Sequence, residues 1–128
     1  MHERHISVVF VVDDEVVISK SLAMILEHHG YLVRSFTDPL EALKHLEADP
    51  PDLLISDVVM PQLSGVDLAI QVKAYVPDCK ILLLSGQAAM AHLLEQTQAR
   101  WHNFTWLSKP VHPADLLNEI ERLEETSL

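Results

Sequence analysis

The stretch from Leu53 to Pro61, which reads LLISDVVMP, decides the predicted fold. Its apolar run and small polar residue are typical of a strand buried on both faces, and Asp57 stands where that strand ends. An unpaired carboxylate is too costly to bury, so we expect Asp57 in a cleft at the carboxyl end of the strand. Taken alone, an aspartate at the end of a strand more often starts a turn, which here would precede Met60.

Similar apolar runs lie on both sides of this stretch, and helical spacing or helix-start residues separate them. Five strands alternating with five helices predict a doubly wound α/β domain, in which right-handed crossovers join the strands of one parallel sheet. In such a sheet, ligands bind outside the carboxyl ends of the strands. The predicted strands cover residues 5 to 12, 31 to 36, 53 to 57, 80 to 85 and 103 to 107, and the predicted helices lie between 16 and 30, 39 and 46, 64 and 75, 87 and 100, and after 113.

Length, charge and cysteine usage limit the class of protein. The 128 residues predict a single domain, 1–128, with its own apolar core. Cys79 is the only cysteine, so no internal disulfide forms, and neither a membrane-crossing run nor an export signal is seen. We therefore expect a cytoplasmic protein. The formal net charge of −10 opposes direct binding to nucleic acid or to an anionic membrane.

Four of the predicted strands have polar side chains at or just after their carboxyl ends. These are Asp13 and Asp14 at the first strand, Asp57 at the third, Ser85 at the fourth and Lys109 at the fifth. Because the carboxyl ends of parallel strands meet at one edge, we expect these side chains to converge. Two carboxylates about 4 Å apart repel by about 4 kcal/mol at an effective dielectric of about 20. A divalent cation would relieve this repulsion, and oxygen ligands favour Mg²⁺ or Mn²⁺ over zinc.

These residue types can together handle a phosphoryl group. An aspartate can accept it as an acyl phosphate, a hydroxyl can hydrogen-bond it, and a lysine can neutralise its charge. Each residue alone has an ordinary structural interpretation, such as an acidic pair at a helix start or a surface lysine. Only their joint placement favours a site. Neither GxxxxGK nor GxGxxG occurs, so we expect the phosphoryl donor to be another molecule rather than ATP held by this chain.

The ordered set of DD at Asp13 and Asp14, SDVVMP around Asp57, LLLSG at Ser85 and SKP at Lys109 resembles the receiver domain of two-component response regulators. The resemblance covers nearly the whole chain. It implies a flavodoxin-like (βα)5 fold with strand order 2-1-3-4-5. It also implies a phosphorylatable signalling switch that catalyses only its own phosphorylation and dephosphorylation.

The resemblance further implies a role for each residue of this set. A phosphoacceptor, a switch hydroxyl and a cation would surround the phosphoryl group, and a switch aromatic, usually Tyr or Phe, would precede the cation by three residues. The peptide bond after the cation would be cis. The residues at these positions are Asp57 as phosphoacceptor, Ser85 as switch hydroxyl, Lys109 as cation before Pro110, Trp106 as switch aromatic, and Asp13, Asp14, Asp57 and the main-chain carbonyl of Val59 as Mg²⁺ ligands.

The partners implied by the resemblance are proteins. A sensor histidine kinase or a histidine phosphotransfer protein would supply the phosphoryl group. A downstream protein, or a fused output domain of which these 128 residues show no sign, would respond to it.

Two other functions stay open at this point. The first is an interaction module that works without phosphorylation, favoured by the loop at 101 to 103, where His102 and Asn103 replace the family's usual Gly-Ala pair and Trp101 stands just before them. The second is a phosphohydrolase of the haloacid dehalogenase type, which also uses aspartate, a hydroxyl, lysine and Mg²⁺. That family needs DxD after the first strand, where this chain has DDE.

Overall fold

The computed structural model describes residues 6 to 86 and 104 to 125. Strands and helices alternate as predicted within these ranges, whereas the predicted helix over 87 to 100 and residues 101 to 103 lie outside them. None of the helices in the described ranges combines the length and the hydropathy of a membrane span. The elements are β1 Val8–Val12, α1 Val16–His28, β2 Leu32–Phe36, α2 Pro39–Lys44, β3 Leu53–Asp57, α3 Gly65–Tyr75, β4 Lys80–Ser85, β5 Thr105–Ser108 and α4 Pro113–Glu125.

The five strands form one parallel sheet in the order β2-β1-β3-β4-β5. This order confirms the predicted doubly wound α/β fold. The register aligns the carboxyl ends of the strands, since Val12 pairs with Ser56, Asp57 with Leu84, and Ser85 with Ser108. Residues that follow β1, β3, β4 and β5 therefore lie along one edge of the sheet.

Two apolar layers, one on each face of the sheet, make up the core. Successive strand side chains point to opposite faces, so Val11 lies in the layer covered by α1 and α4, whereas Phe10 and Leu54 lie in the layer covered by α2 and α3. We call these the first and the second apolar layer. Because both faces are buried, the central strands are continuous apolar runs rather than alternating ones.

The ends of the elements differ slightly from the sequence prediction. Gly30 has a φ of 91° and follows the last turn of α1, in the left-handed conformation that glycine commonly adopts at the C′ position. The N–H of Tyr31 donates to the carbonyl of Leu26 in that turn, so β2 begins one residue later than predicted. Helix α2 ends at Lys44 rather than at Leu46, whose N–H donates three residues back, to Leu43.

Side-chain caps set the starts of two helices. The Asp38 carboxylate accepts a hydrogen bond from the N–H of Leu40 at 2.9 Å and begins α2. The Ser64 hydroxyl accepts one from the N–H of Asp67 at 3.1 Å and begins α3. Asp and Ser are among the residues preferred at such caps, and the second cap fixes the start of the helix that follows the Asp57 loop.

Gly65, the first residue of α3, packs directly on the end of β3. Its N–H donates to the carbonyl of Val58 at 2.8 Å. A Cβ atom at this position would overlap the main-chain oxygen of Asp57 and would lie 2.9 Å from the carbonyl carbon of that residue. Only glycine therefore allows α3 to approach the end of β3 this closely.

Candidate functional site

Three carboxylates meet at the carboxyl edge of the sheet. Asp13 is fully buried, Asp57 is 8% exposed and Asp14 is exposed. Each offers an oxygen that lies within 4.8 Å of those of the other two. The N–H of Asp13 donates to the carbonyl of Phe36 at 3.1 Å, so β2 holds the acidic turn in place. The predicted clustering is confirmed.

The Asp13 carboxylate uses both of its oxygens. Oδ1 accepts a hydrogen bond of 2.9 Å from the N–H of Glu15, immediately before α1, and Oδ2 accepts one of 3.1 Å from the Lys109 ammonium. These two contacts satisfy a carboxylate with no exposed surface, which would otherwise be too costly to bury. Asp14 has its side chain at the solvent, so it can accept a cation without losing a contact of this kind.

Lys109 joins the strand ends. Its ammonium lies 3.2 Å from Oδ1 of Asp57 and 3.1 Å from Oδ2 of Asp13. Its main-chain N–H donates to the carbonyl of Ser85 at 2.9 Å, and the bond to Pro110 is cis, as the resemblance implies. Lys109, the first residue after β5, therefore contacts one side chain just after β1, one at the end of β3 and the backbone at the end of β4.

Burial and charge act in opposite directions at this site. Burial raises the pKa of Asp57 above its ordinary value, the Lys109 ammonium counteracts part of that rise, and the charges of Asp13 and Asp14 add to it. Burial also lowers the pKa of Lys109, but the hydrogen bond that Lys109 donates to Asp13 and the charge of Asp57 outweigh this effect and raise that pKa overall. Lys109 is therefore a cation at neutral pH.

The three remaining predicted residues lie at the end of β4, after β3 and on β5. The Ser85 side chain is 1% exposed, and its hydroxyl donates to the carbonyl of Gly86 at 3.0 Å. Val59 lies two residues after β3 with a side chain that is 61% exposed. Trp106 pairs with Leu83 across the edge strand β5 and is half-buried against the second apolar layer.

Sequence reasoning missed Ser56, which stands next to Asp57. Its side chain is fully buried, and its hydroxyl donates to the main-chain oxygen of Asp57 at 2.9 Å. The signal was a polar residue at a core position of an otherwise apolar strand, since a buried hydroxyl needs a partner. The partner itself could not be deduced from the sequence.

The donor set suits a hard divalent cation. The cluster offers carboxylate oxygens and neither thiolate nor imidazole, which favours Mg²⁺ or Mn²⁺ over zinc. A cation at this place would offset the repulsion among three acids, which the single Lys109 charge offsets only in part. The residues therefore fit a metal site at the edge of the sheet where α/β proteins bind ligands.

The family model of the response regulator receiver domain matches residues 9–121. The receiver protein CpdR of Brucella abortus is 35% identical over 115 residues, which are 90% of this chain and 94% of CpdR. The C4-dicarboxylate transport transcriptional regulatory protein DctD of Rhizobium meliloti is 32% identical over 117 residues, which are 91% of this chain and 25% of DctD. This chain thus spans nearly all of one relative and a quarter of another.

Solved structures agree with this match. The chemotaxis protein CheY4 of Vibrio cholerae aligns with a TM-score of 0.80 at 28% identity and covers 92% of this chain and 98% of its own. A response regulator receiver domain protein from Clostridium thermocellum aligns with a TM-score of 0.81 at 26% identity and covers 94% and 95%.

Proposed function

The chain belongs to the response regulator receiver domain family, and from this premise we propose that it is a switch phosphorylated on Asp57. Receiver domains are signalling switches of two-component systems rather than metabolic enzymes. The observation that carries the assignment is the Lys109 ammonium, 3.2 Å from Oδ1 of Asp57 at the carboxyl edge of the sheet. We also propose that residues 1–128 act as a single receiver domain.

Phosphorylation is a displacement at phosphorus. A carboxylate oxygen of Asp57 attacks the phosphorus atom of a phosphohistidine, the P–N bond breaks, and its electron pair returns to the imidazole nitrogen, which then takes up a proton. The product is an acyl phosphate. Lys109 neutralises charge on the phosphoryl oxygens, while Asp13 keeps the ammonium close to the acceptor. Hydrolysis of the acyl phosphate in the same site would complete the cycle.

The metal that fits this site is Mg²⁺, or Mn²⁺ in its place. Asp13, Asp14, Asp57 and the main-chain carbonyl of Val59 would hold it, as the cluster of carboxylate oxygens supports. When bound, the ion would supply positive charge that offsets charge on the phosphoryl oxygens. Asp14 is the most accessible of these carboxylates, which suits it for first contact with a hydrated cation.

Partners would recognise the phosphorylated state through changes at Ser85 and Trp106. The Ser85 hydroxyl would exchange the carbonyl of Gly86 for a phosphoryl oxygen. Trp106 lies on the edge strand next to β4, so a shift of the β4 end would reach it directly. A downstream protein or a fused output domain would recognise this altered face.

The phosphoryl donor would be a protein, either a sensor histidine kinase or a histidine phosphotransfer protein. A groove of about 460 Å³ runs beside the site between α1 and the segment after β5, and Lys109 and Val111 are among its lining residues. Val17 of α1 also lines this groove and exposes 77% of its surface. Exposed apolar patches of this kind mark protein interaction sites. Because Lys109 lines the groove and also contacts Asp57, the groove adjoins the acceptor.

Intact-mass measurement after incubation with acetyl phosphate and Mg²⁺ tests the proposal. We expect one added phosphate that hydroxylamine removes. Asp57→Asn should take no label, whereas Asp78→Asn, which removes an exposed carboxylate far along the chain, should be labelled like the wild type. Label that persists in Asp57→Asn would reject the acceptor. A wild-type chain that no small or protein donor labels would instead favour the phosphorylation-independent interaction module.

A further inference from the structure

We propose that Ser56 is a positioning residue for the acceptor, because its buried hydroxyl fixes the peptide unit that carries Asp57. The inference rests on the proposed function, since it concerns how the phosphoryl acceptor is held. Ser56 touches no reacting atom in this proposal, and it acts through the main chain of its neighbour.

The hydroxyl of Ser56 is unusual in its surroundings. Ser56 is fully buried in β3 between Val12 of β1 and Leu83 of β4. By strand alternation it shares a face with Leu54, in the second apolar layer. A hydroxyl in an apolar layer costs free energy unless it is hydrogen-bonded, and this one donates to the main-chain oxygen of Asp57 at 2.9 Å.

The same main-chain oxygen is confined by α3. It lies against Gly65, where an added Cβ atom would overlap it. The N–H of Val58, which belongs to the same peptide unit as that oxygen, donates to the carbonyl of Leu84 at 3.1 Å, and the carbonyl of Val58, in the next unit, accepts from the N–H of Gly65 at 2.8 Å. Ser56 thus completes a set of contacts that fixes the two consecutive peptide units after the acceptor Cα.

Backbone orientation at Asp57 sets the direction of its side chain. Oδ1 of Asp57 lies 3.2 Å from Nζ of Lys109. An attack on phosphorus also requires the attacking oxygen to be aligned with the bond that breaks. Without the Ser56 hydroxyl, the terminal carbonyl of β3 loses this donor and the peptide unit gains freedom. The carboxylate then spends less time in the reactive orientation, although the fold persists.

Ser56→Ala, Ser56→Thr and Ser19→Ala separate positioning from general stability. Ser19 is a matched control, because it is 1% exposed and its hydroxyl also donates to a main-chain carbonyl, that of Val16 at 3.1 Å. Each variant is incubated with acetyl phosphate and Mg²⁺, and the labelling rate is followed by intact mass over a range of donor concentrations. Thermal unfolding of each variant is recorded in parallel.

Ser56→Ala should label roughly fivefold more slowly at the highest donor concentrations, the equivalent of one hydrogen bond, with the donor concentration at half-maximal rate unchanged. Ser56→Thr keeps the hydroxyl and should recover the rate. Ser56→Cys keeps the size but supplies only a weak donor, so it should behave like Ser56→Ala even if the threonine variant does not fold. Ser19→Ala should lose comparable thermal stability and label at the wild-type rate.

The inference is wrong if Ser56→Ala labels as fast as the wild type, or if Ser19→Ala slows labelling equally. A wild-type chain that takes no label would reject the proposed function and this inference together. The two failures are therefore distinguishable, because only the first leaves a phosphorylated wild-type protein.

Discussion

Replacing Gly65 with alanine adds a single Cβ atom where α3 packs on the end of β3. At an ordinary helix position this change stabilises a protein, because alanine is favoured over glycine by about 0.5 to 1 kcal/mol. At Gly65 the new atom would overlap the main-chain oxygen of Asp57 and lie 3.0 Å from Cα of Val58. The packing therefore predicts a change in stability opposite in sign to helix propensity.

The size of the stability loss depends on which atoms must move to relieve the overlap. The contacted atoms belong to the buried backbone at and after the end of β3, so relief requires α3 and β3 to separate. Overpacking of this kind costs about 1 to 3 kcal/mol, and separation would also weaken the 2.8 Å hydrogen bond from Gly65 to Val58, worth about 1 kcal/mol. After the gain in propensity, we expect a net loss of about 1 to 3 kcal/mol, which lowers the Tm by about 4 to 12 °C.

Thermal and urea unfolding followed by circular dichroism measure this loss. Gly86→Ala is the matched control, because among the described residues no atom beyond the two chain neighbours lies within 4 Å of a Cβ placed there, and its free energy of unfolding should change by less than about 0.5 kcal/mol. A Gly65→Ala protein as stable as the wild type, or more stable, would refute the close approach of α3 to the Asp57 peptide.

Four further predictions concern the site, its surroundings and the core. Mg²⁺ should raise the Tm, because the three carboxylates of the native state would hold it, and Asp14→Asn should reduce that rise; an undiminished rise would exclude Asp14 as a ligand. Val17→Glu should slow phosphotransfer from a donor protein without changing labelling by acetyl phosphate, whereas Leu32→Glu, at an apolar residue 62% exposed on β2, should change neither rate. Asp57→Asn without metal should raise the Tm at pH 7. Burial raises the pKa of this carboxyl, so its ionised form destabilises the fold above the ordinary pKa of 3.8, and the difference between the two Tm values should shrink as the pH falls toward that value. The Cys79 thiol should react with a disulfide reagent only on unfolding, because it is fully buried and burial raises its pKa to about 12; rapid labelling of the native protein would contradict this.

Much of the fold and of the cluster could be predicted because the deciding signals are local. Continuous apolar runs indicate strands covered on both faces, and a polar residue at the end of such a run must lie at the edge of the sheet. This reasoning predicts that Asp13, Asp57 and Lys109 lie close together, and the ion pairs of 3.1 and 3.2 Å confirm it. Helix caps such as Asp38 were predictable for the same reason, since the donor lies two residues away.

Other features depend on distances between segments that a sequence pattern does not contain. The DD motif does not distinguish its two aspartates, yet Asp13 is buried against Lys109 while Asp14 faces the solvent. The end of β1 turns one side chain inward and the next outward. The role of Gly65 was equally hidden, since a glycine at a helix start has no signature of what packs on it. Functional assignments drawn from the motif alone treat Asp13 and Asp14 alike, although their surroundings differ.

The site combines one group that is already aligned with one that must change partner. The Lys109 ammonium already contacts Asp57, so its charge is in place before any phosphoryl group arrives. The Ser85 hydroxyl donates a hydrogen bond to the carbonyl of Gly86, so this bond must break before the hydroxyl can donate to a phosphoryl oxygen. Since the carbonyl of Ser85 holds the N–H of Lys109, a movement of Ser85 would displace the end of β5 as well. We therefore expect the signal to depend on Ser85 and the chemistry to depend on Lys109, so that Ser85→Ala would be phosphorylated yet would leave the Trp106 face unchanged.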